Sequence, residues 1–472
     1  MITLTKQKNE QMVFDLMNPE ELIRPEGFSC SCGRQHRAEI RFLRIAPGAL
    51  SEVTKALSVL GCSRPMVVCG PHGYEAAGKT VCSLLEAGGI AYSLHRLDEE
   101  NGERIKPSEH AAGSLLLGYD QKCDMILGVG SGVINDLCKV LCTAAKVPCM
   151  IVATAPSMDG YASDSASVEI GSIKYSLKEK MPEAILCDTQ ILAKAPQKMI
   201  RAGMGDILAK YTSLIDWKIS HIVTGECYCD LAADLVRDSL RRTVAVADGV
   251  RESREETVLA ITEGLVLSGI GITFAGCSHP ASGLEHYFSH CWEMMQLEKG
   301  KDSELHGIQV SIGMLLTLKI IEYLKTICPV MEHAEAAAGR FDEAVWEKNI
   351  RRVFPKAADG ILEIEKQTRK NDRAGRLERA AIAIAHWDEI LSLFQTELPS
   401  YEETKALMRR IGMPVTPREI GLTNREVIDA FVCSRDIRDK YLLSSLIWDI
   451  GYMEETTAML KDVLYAETKS ES

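Results

Sequence analysis

Four of the chain's eleven histidines, His279, His286, His290 and His306, fall within 28 residues. In SHPASGLEHYFSH, His286 and His290 are four apart, which puts both imidazoles on one face of a helix. His306 opens a further helical stretch, LHGIQVSIGM, where Gly307 allows close approach. Upstream, Gly203-Met-Gly205-Asp206 sets a carboxylate among glycines, and the pattern predicts that Asp206 lies in the first turn of a helix. One carboxylate and two imidazoles with open positions would suit zinc, nickel or iron(II). A single buried histidine is more often only a core polar residue, and Asp206 alone would do no more than stabilise a helix N-terminus. The cluster is what points to metal, and spacing alone nominates His286 and His290 as the metal pair.

A second chemistry is written in residues 124–164. The apolar run Asp124 to Leu127 ends in glycines 128, 130 and 132, and Val133, Ile134, Leu137, Val140 and Leu141 then recur at helical spacing. A second strand, Cys149 to Thr154, follows and ends in Ala155-Pro156-Ser157-Met158-Asp159-Gly160. Strand, glycine turn, helix and strand make a parallel βαβ unit, with the glycines where a phosphate would meet a helix N-terminus. Gly-x-Gly-x-Gly is not the usual dinucleotide fingerprint, and Thr154 stands where an acidic residue would end the next strand, so the loop alone is weak support.

Gly73-Tyr-Glu-Ala-Ala-Gly78-Lys79-Thr80 also fits the P-loop pattern, with Asp188 as a conceivable metal-binding partner. Tyr-Glu-Ala-Ala is a helix-forming run, whereas a P-loop must wrap backbone amides around phosphates. The expectation is a surface helix with one exposed lysine, and a P-loop kinase or NTPase is the weaker alternative.

The elements that must position these groups follow from periodicity. Strand patterns at 39–45, 65–69, 90–94, 124–127, 149–154 and 184–187 alternate with helical ones at 49–60, 74–87, 106–117 and 133–141. That alternation implies a parallel sheet covered on both faces. Residues 166–170 and 173–177 flank Gly171-Ser172 as a hairpin. From about Pro196 onward only helical stripes recur. The division expected is an α/β dinucleotide-binding domain, 1–195, with an N-terminal extension over 1–37, and an all-helical metal- and substrate-binding domain, 196–472. The active site is expected in the cleft between them.

The chain has 472 residues and a net charge of −12, which argues against nucleic acid or an anionic membrane as the main partner. No run of unbroken apolar residues approaches a membrane span, and the N-terminus lacks the pattern of a secretory signal. The sixteen cysteines lie scattered in apolar stretches and read as reduced core residues. Cys30-x-Cys32 and Cys227-x-Cys229 do not have the spacing of structural zinc sites, and a zinc knuckle is not expected.

Taken together, GVGSGVINDLCK, TAPSMDGYAS, GMGDILAK, SHPASGLEHYFSH and LHGIQVSIG resemble the sn-glycerol-1-phosphate dehydrogenases of the dehydroquinate synthase-like, iron-containing alcohol dehydrogenase superfamily, and most closely the bacterial AraM type. The resemblance implies metal-dependent, NAD(P)H-linked reduction of dihydroxyacetone phosphate by a cytoplasmic homodimer. It implies cofactor contacts at Gly130, Ser131, Gly132, Val133, Ile134, Thr154, Ser157 and Ser163, and substrate contacts at Asp159, Asp206 and His290. It implies Asp206, His286 and His306 as ligands of one zinc, nickel or iron ion, with Asp206 and His290 catalytic, and so moves His290 from ligand to substrate contact. Lys210 is a candidate phosphate contact beside its plainer reading as an exposed helix lysine. Two departures stand out. Gly70 replaces an acid that relatives often carry, which leaves NAD or NADP open, and His279 stands where arginine is usual. A related alcohol or polyol dehydrogenase with an unphosphorylated substrate is the alternative.

Overall fold

The computed structural model describes residues 2–3, 13–14, 22–99, 104–170 and 173–470. Much of the expected extension over 1–37 lies outside the described residues. Two compact units are present: Met1–Ile207 with Cys229–Ser278, and Leu208–Tyr228 with His279–Ser472.

The first unit is built on six parallel strands, β1 (Phe42–Ala46), β2 (Pro65–Cys69), β3 (Ser93–Arg96), β4 (Met125–Gly130), β5 (Cys149–Ala153) and β6 (Ala184–Asp188), in the order β1-β6-β5-β4-β2-β3. Every residue of β2, β4, β5 and β6 is buried, as expected for a parallel sheet covered on both faces. On one face Val67, Leu127, Val129 and Val152 pack against Val53 and Leu57 of α1 (Val53–Leu60) and Val81 and Leu85 of α2 (Lys79–Ala87). Helix α3 (Glu109–Leu117) is capped by Ser108, and α4 (Gly132–Ala145) follows β4 after one residue. The chain runs outward from β2 to β3 and the other way from β4 to β6. The strand order therefore reverses at the β2–β4 pair, which places the Gly128–Gly132 turn at the switch point of the sheet. The hairpin is present as Ser165–Ile170 paired with Ile173–Lys178.

Among the described residues no strand follows Asp188. Helices α5 (Gln197–Leu208), α6 (Lys210–Thr224), α7 (Asp230–Ala245), α8 (Glu255–Ala275), α9 (Leu284–Glu298) and α10 (His306–Leu324) come next, with further helices to Ser470. The packing division differs from the one at 195/196 expected from sequence. Helices α7 and α8 belong to the α/β unit: Thr243 on α7 donates to the Ala260 carbonyl of α8 (3.1 Å), and Ser268 on α8 donates to Asp159 (3.0 Å). Helical periodicity reports that a stripe is buried but not which partner buries it. Helices α8 and α10 are long and apolar enough to cross a membrane, yet 72% and 83% of their apolar windows are buried in the packing.

Candidate active site

In the α/β unit the site begins at the glycines. A Cβ on Gly73 would sit 2.5 Å from the Val129 carbonyl oxygen, so the turn after β2 rides directly over the end of β4. Ser131 is the N-cap of α4 with no side-chain cap bond, leaving that task at the first-turn amides to something else. These features fit a dinucleotide phosphate: a close-approach cradle and a helix N-terminus without its own capping side chain.

The loop after β5 is tightly held. The Thr154 amide donates to the Gly130 carbonyl (3.0 Å), joining the two strand ends. The Tyr161 hydroxyl donates to the Ala155 carbonyl (2.7 Å), and the Asp159 amide donates to Asp206 Oδ2 (3.0 Å). Asp206 is fully buried and lies in the last turn of α5, not the first, because the helix begins six residues before Gly203 at Gln197. Gly203 is needed for approach: a Cβ there would lie 1.8 Å from the Pro156 carbonyl oxygen. Lys139, which sequence reasoning passed over, is completely buried and donates to the Gly160 carbonyl, Ser163 Oγ (3.2 Å) and the Ser165 carbonyl (3.0 Å). Burial pulls its ammonium below the ordinary lysine value. Ser163 is itself buried and engaged by this lysine, while Ser131, Gly132, Val133, Thr154 and Ser157 are only part-buried.

In the helical unit, α9 and α10 bring three of the four histidines together. Ring centroids are 5.3 Å apart for His286 and His306, 5.6 Å for His290 and His306, and 6.4 Å for His286 and His290. The helices approach this closely because Gly313 faces Glu285, whose carbonyl oxygen would lie 2.3 Å from an added Cβ. Each of two imidazoles has a carboxylate on its Nδ1 edge: Glu285 Oε1 at 2.8 Å from His286, and Glu293 Oε1 at 3.2 Å from His306. Such pairs orient histidine ligands and leave Nε2, on the opposite edge, as the coordinating nitrogen. Burial pushes the Glu285 carboxyl up, but His286, Thr212 and the Gly283 amide outweigh it and hold it below its usual range. Neither glutamate was singled out from sequence; a carboxylate at i−1 and one thirteen residues before His306 carry no recognisable spacing. Asp216 of α6, also missed, is buried and caps the start of α9, accepting from the Leu284 amide (2.6 Å) and from the Leu443 amide. Burial, then the Glu285 charge, raises its pKa well above the ordinary value.

His290 is part-buried, and its Nδ1 has no hydrogen-bond partner, the nearest carboxylate oxygen being Glu293 Oε2 at 3.7 Å. Burial first and the Arg438 charge second depress its pKa well below the usual histidine value, so the ring is neutral. Atoms of His290, Glu293 and His306 also lie close enough together to hold an ion themselves. His279 does not join the cluster as a fourth imidazole. Its Nδ1 lies 2.8 Å from Glu226 Oε1, with the ring 5% exposed, so it fills the role of a structural partner for a carboxylate. Lys210 is not an exposed helix lysine; it is fully buried and donates to the Ala281 carbonyl (3.1 Å).

The P-loop alternative does not survive. Residues 71–87 are helical throughout, and exposed Lys79 pairs with Glu75 at 2.6 Å. Asp188 is used up capping, accepting from the amides of Gly48, Leu50 and Gln190 at 3.1 Å each.

Residues 44–196 match the iron-containing alcohol dehydrogenase family. A glycerol-1-phosphate dehydrogenase (NAD(P)+) of Halalkalibacterium halodurans is 33% identical over 288 residues, 61% of this chain and 72% of that one. One from Geobacillus stearothermophilus is 29% identical over 417 residues, covering 88% and 92%. Among solved structures, glycerol dehydrogenase from Schizosaccharomyces pombe superposes with a TM-score of 0.59 at 14% identity, covering 94% of each chain. A probable glycerol dehydrogenase from Sinorhizobium meliloti gives 0.57 at 15%, covering 90% and 98%. The two structures establish a shared fold, and the two sequences more than that: this chain belongs to the glycerol-1-phosphate dehydrogenase family.

Proposed function

We propose that the chain catalyses the reversible NAD(P)H-linked, metal-dependent reduction of dihydroxyacetone phosphate to sn-glycerol 1-phosphate. The observation that carries this reading, beside family membership, is the histidine cluster with a carboxylate on the Nδ1 edge of two of its rings. We assign Asp206, His286 and His306 as ligands of one divalent zinc, nickel or iron ion; an oxygen and two imidazole nitrogens suit any of the three. When bound, the cation supplies a Lewis acid for the substrate carbonyl and the nicotinamide supplies the hydride.

The chain's own groups do the rest. The amides at Gly130 to Ile134 bind the cofactor pyrophosphate, with Thr154, Ser157 and Ser163 lining the adjoining loop. Glu285 accepts the Nδ1 proton of His286 and so fixes the tautomer that presents Nε2. Asp159, steadied by the hydrogen bond its amide donates to Asp206 and by the one its carboxylate accepts from Ser268, contacts the substrate. His290, neutral and part-buried, hydrogen-bonds the substrate and relays a proton to the oxygen that gains charge, donating from one ring nitrogen while the other takes up a proton from water. The 2.8 Å contact of His279 with Glu226 answers the main objection to a phosphorylated substrate, because a residue at this position serves a carboxylate rather than the phosphate.

One observation favours a second ligand set. His290, Glu293 and His306 group together, and this set makes His290 a ligand. Metal content of His290→Ala separates the two: metal retained supports our assignment, metal lost supports the alternative. We further propose a homodimer located in the cytoplasm, as the resemblance implies. The reaction itself is tested by the stereochemistry of the product. Glycerol phosphate made by the enzyme should be inert to an sn-glycerol-3-phosphate-specific dehydrogenase; quantitative oxidation by that enzyme would overturn the reading.

A further inference from the structure

Cys30, Cys32, His36 and Cys229 meet in the α/β unit, although Cys30 and Cys229 are 199 residues apart in the chain. One ligand atom from each lies within 4.8 Å of all the others. Cys30 Sγ is 3.8 Å from Cys229 Sγ, and His36 Nε2 is 3.3 Å from Cys229 Sγ and 3.4 Å from Cys32 Sγ. A tetrahedral zinc ion has Zn–S bonds of about 2.3 Å and Zn–N bonds of about 2.0 Å, which makes an S···S edge about 3.8 Å and an S···N edge about 3.5 Å. These three distances match such edges to within about 0.3 Å, and the other three lie within 4.8 Å. Its sulfurs are too far apart for a disulfide, which needs about 2.05 Å, and all the cysteines are free.

The local sequence is shaped for this. Phe28–Ser29 and Gln35–His36 pair as a short hairpin whose turn is Cys30-Ser-Cys-Gly-Arg. Gly33 has φ +84°, its amide donates to the Cys30 carbonyl (3.0 Å), and the Cys30 amide donates to the Arg34 carbonyl (3.0 Å). This tight turn brings two sulfurs to one side. The His36 ring is stacked on Phe274 of α8, with centroids 4.9 Å apart, and meets Phe28 edge-on. Arg34 donates to the Ala275 carbonyl, fixing the hairpin to the end of α8. Cys229 is the N-cap of α7, where the positive end of the helix favours a thiolate. His36 and Cys229 are 2% and 1% exposed, while Cys30 and Cys32 are part-buried. Thiols that merely filled a core would not require an imidazole nitrogen facing two sulfurs.

We propose that Cys30, Cys32, His36 and Cys229 bind a structural zinc ion that staples the 28–36 hairpin to the start of α7. Three soft thiolates and one imidazole select zinc over oxygen-preferring magnesium or calcium. All four positions come from protein, so no site remains for water or substrate, and the ion is structural. Sequence reading rejected a zinc site on the one-residue spacing of Cys30-x-Cys32. The hairpin tolerates that spacing, and the completing ligand, 193 residues beyond His36, belongs to no local motif.

Cobalt(II) titration of metal-free protein tests this, because sulfur ligation gives a near-ultraviolet charge-transfer band that a site of carboxylate and histidines cannot give. The expected result is one equivalent of cobalt bound with that band and strong visible bands of tetrahedral geometry, all displaced by zinc. The band should appear equally in His306→Ala, so the outcome does not depend on the catalytic ligands assigned above. Cys30→Ser and Cys32→Ser, at the part-buried hairpin turn, should weaken or abolish the band with far-ultraviolet circular dichroism unchanged; Cys229→Ser, being buried, is the less forgiving variant. Absence of the band in the unmutated protein would overturn the proposal. So would a band unaffected by Cys30→Ser and Cys32→Ser.

Discussion

Replacing Gly203 by alanine tests whether the α5 approach to the 155–160 loop positions the site. The new Cβ would lie 1.8 Å from the Pro156 carbonyl oxygen, 2.9 Å from its carbon and 3.1 Å from Ile261 Cγ2. An acceptable C···O contact is about 3.3 Å, so helix and loop must part by about 1.5 Å. The obstacle is backbone, not the end of a flexible side chain, which puts the cost near the top of the overpacking range, about 3 kcal/mol. The loop carries Asp159, whose amide holds Asp206 at 3.0 Å, so the displacement is passed directly to two assigned substrate contacts. A misplacement of about 1 Å in a positioned group costs about 100-fold in rate. Gly203→Ala should therefore lower kcat/KM by about 100-fold and lower the urea midpoint of unfolding. Gly113→Ala is the control, since a Cβ there meets nothing within 4 Å and alanine favours its helix. Steady-state kinetics and a urea melt followed by circular dichroism read both. A Gly203→Ala enzyme with unchanged midpoint and kcat/KM would refute the reasoning.

Other substitutions separate roles within the cluster. His306→Ala should lose bound metal and activity together, whereas His290→Ala should keep its metal and lose about 100-fold or more in kcat, both read by metal analysis beside kinetics. Glu285→Gln keeps the shape but removes the carboxylate that orients His286, and metal affinity measured by competition with a chelator should fall about 10- to 100-fold. Lys79→Ala should leave activity untouched and stability within about 0.5 kcal/mol, because its ion pair with Glu75 is exposed. A collapse of activity in that variant would revive the P-loop alternative.

What sequence made legible was the frame. Unbroken apolar strands closed by glycines could only be a parallel sheet, and the GVGSG turn falls at its switch point. The His286, His290 and His306 grouping was readable because two residues share a helix face and the third opens the next helix. Other features depend on long-range packing that no local pattern encodes. Helices α7 and α8 look like any amphipathic pair, yet they pack in the α/β unit. Gly203 and Gly205 read as a helix start because glycine is a poor helix former, whereas the structure uses Gly203 for close approach late in a helix. Lys139 and Lys210 resemble surface lysines until burial and carbonyl partners are seen. Cys229 completes a four-residue cluster from 193 residues beyond His36.

The most direct measurement of the central claim is nicotinamide oxidation by metal-stripped protein supplied with dihydroxyacetone phosphate, using NADH and NADPH separately. Nickel, zinc and iron(II) are each added back in turn. The account predicts that oxidation returns with one or more of these metals, requires the phosphate ester, and is absent with plain dihydroxyacetone. Equal turnover of the unphosphorylated ketone, or full activity without any metal, would contradict it.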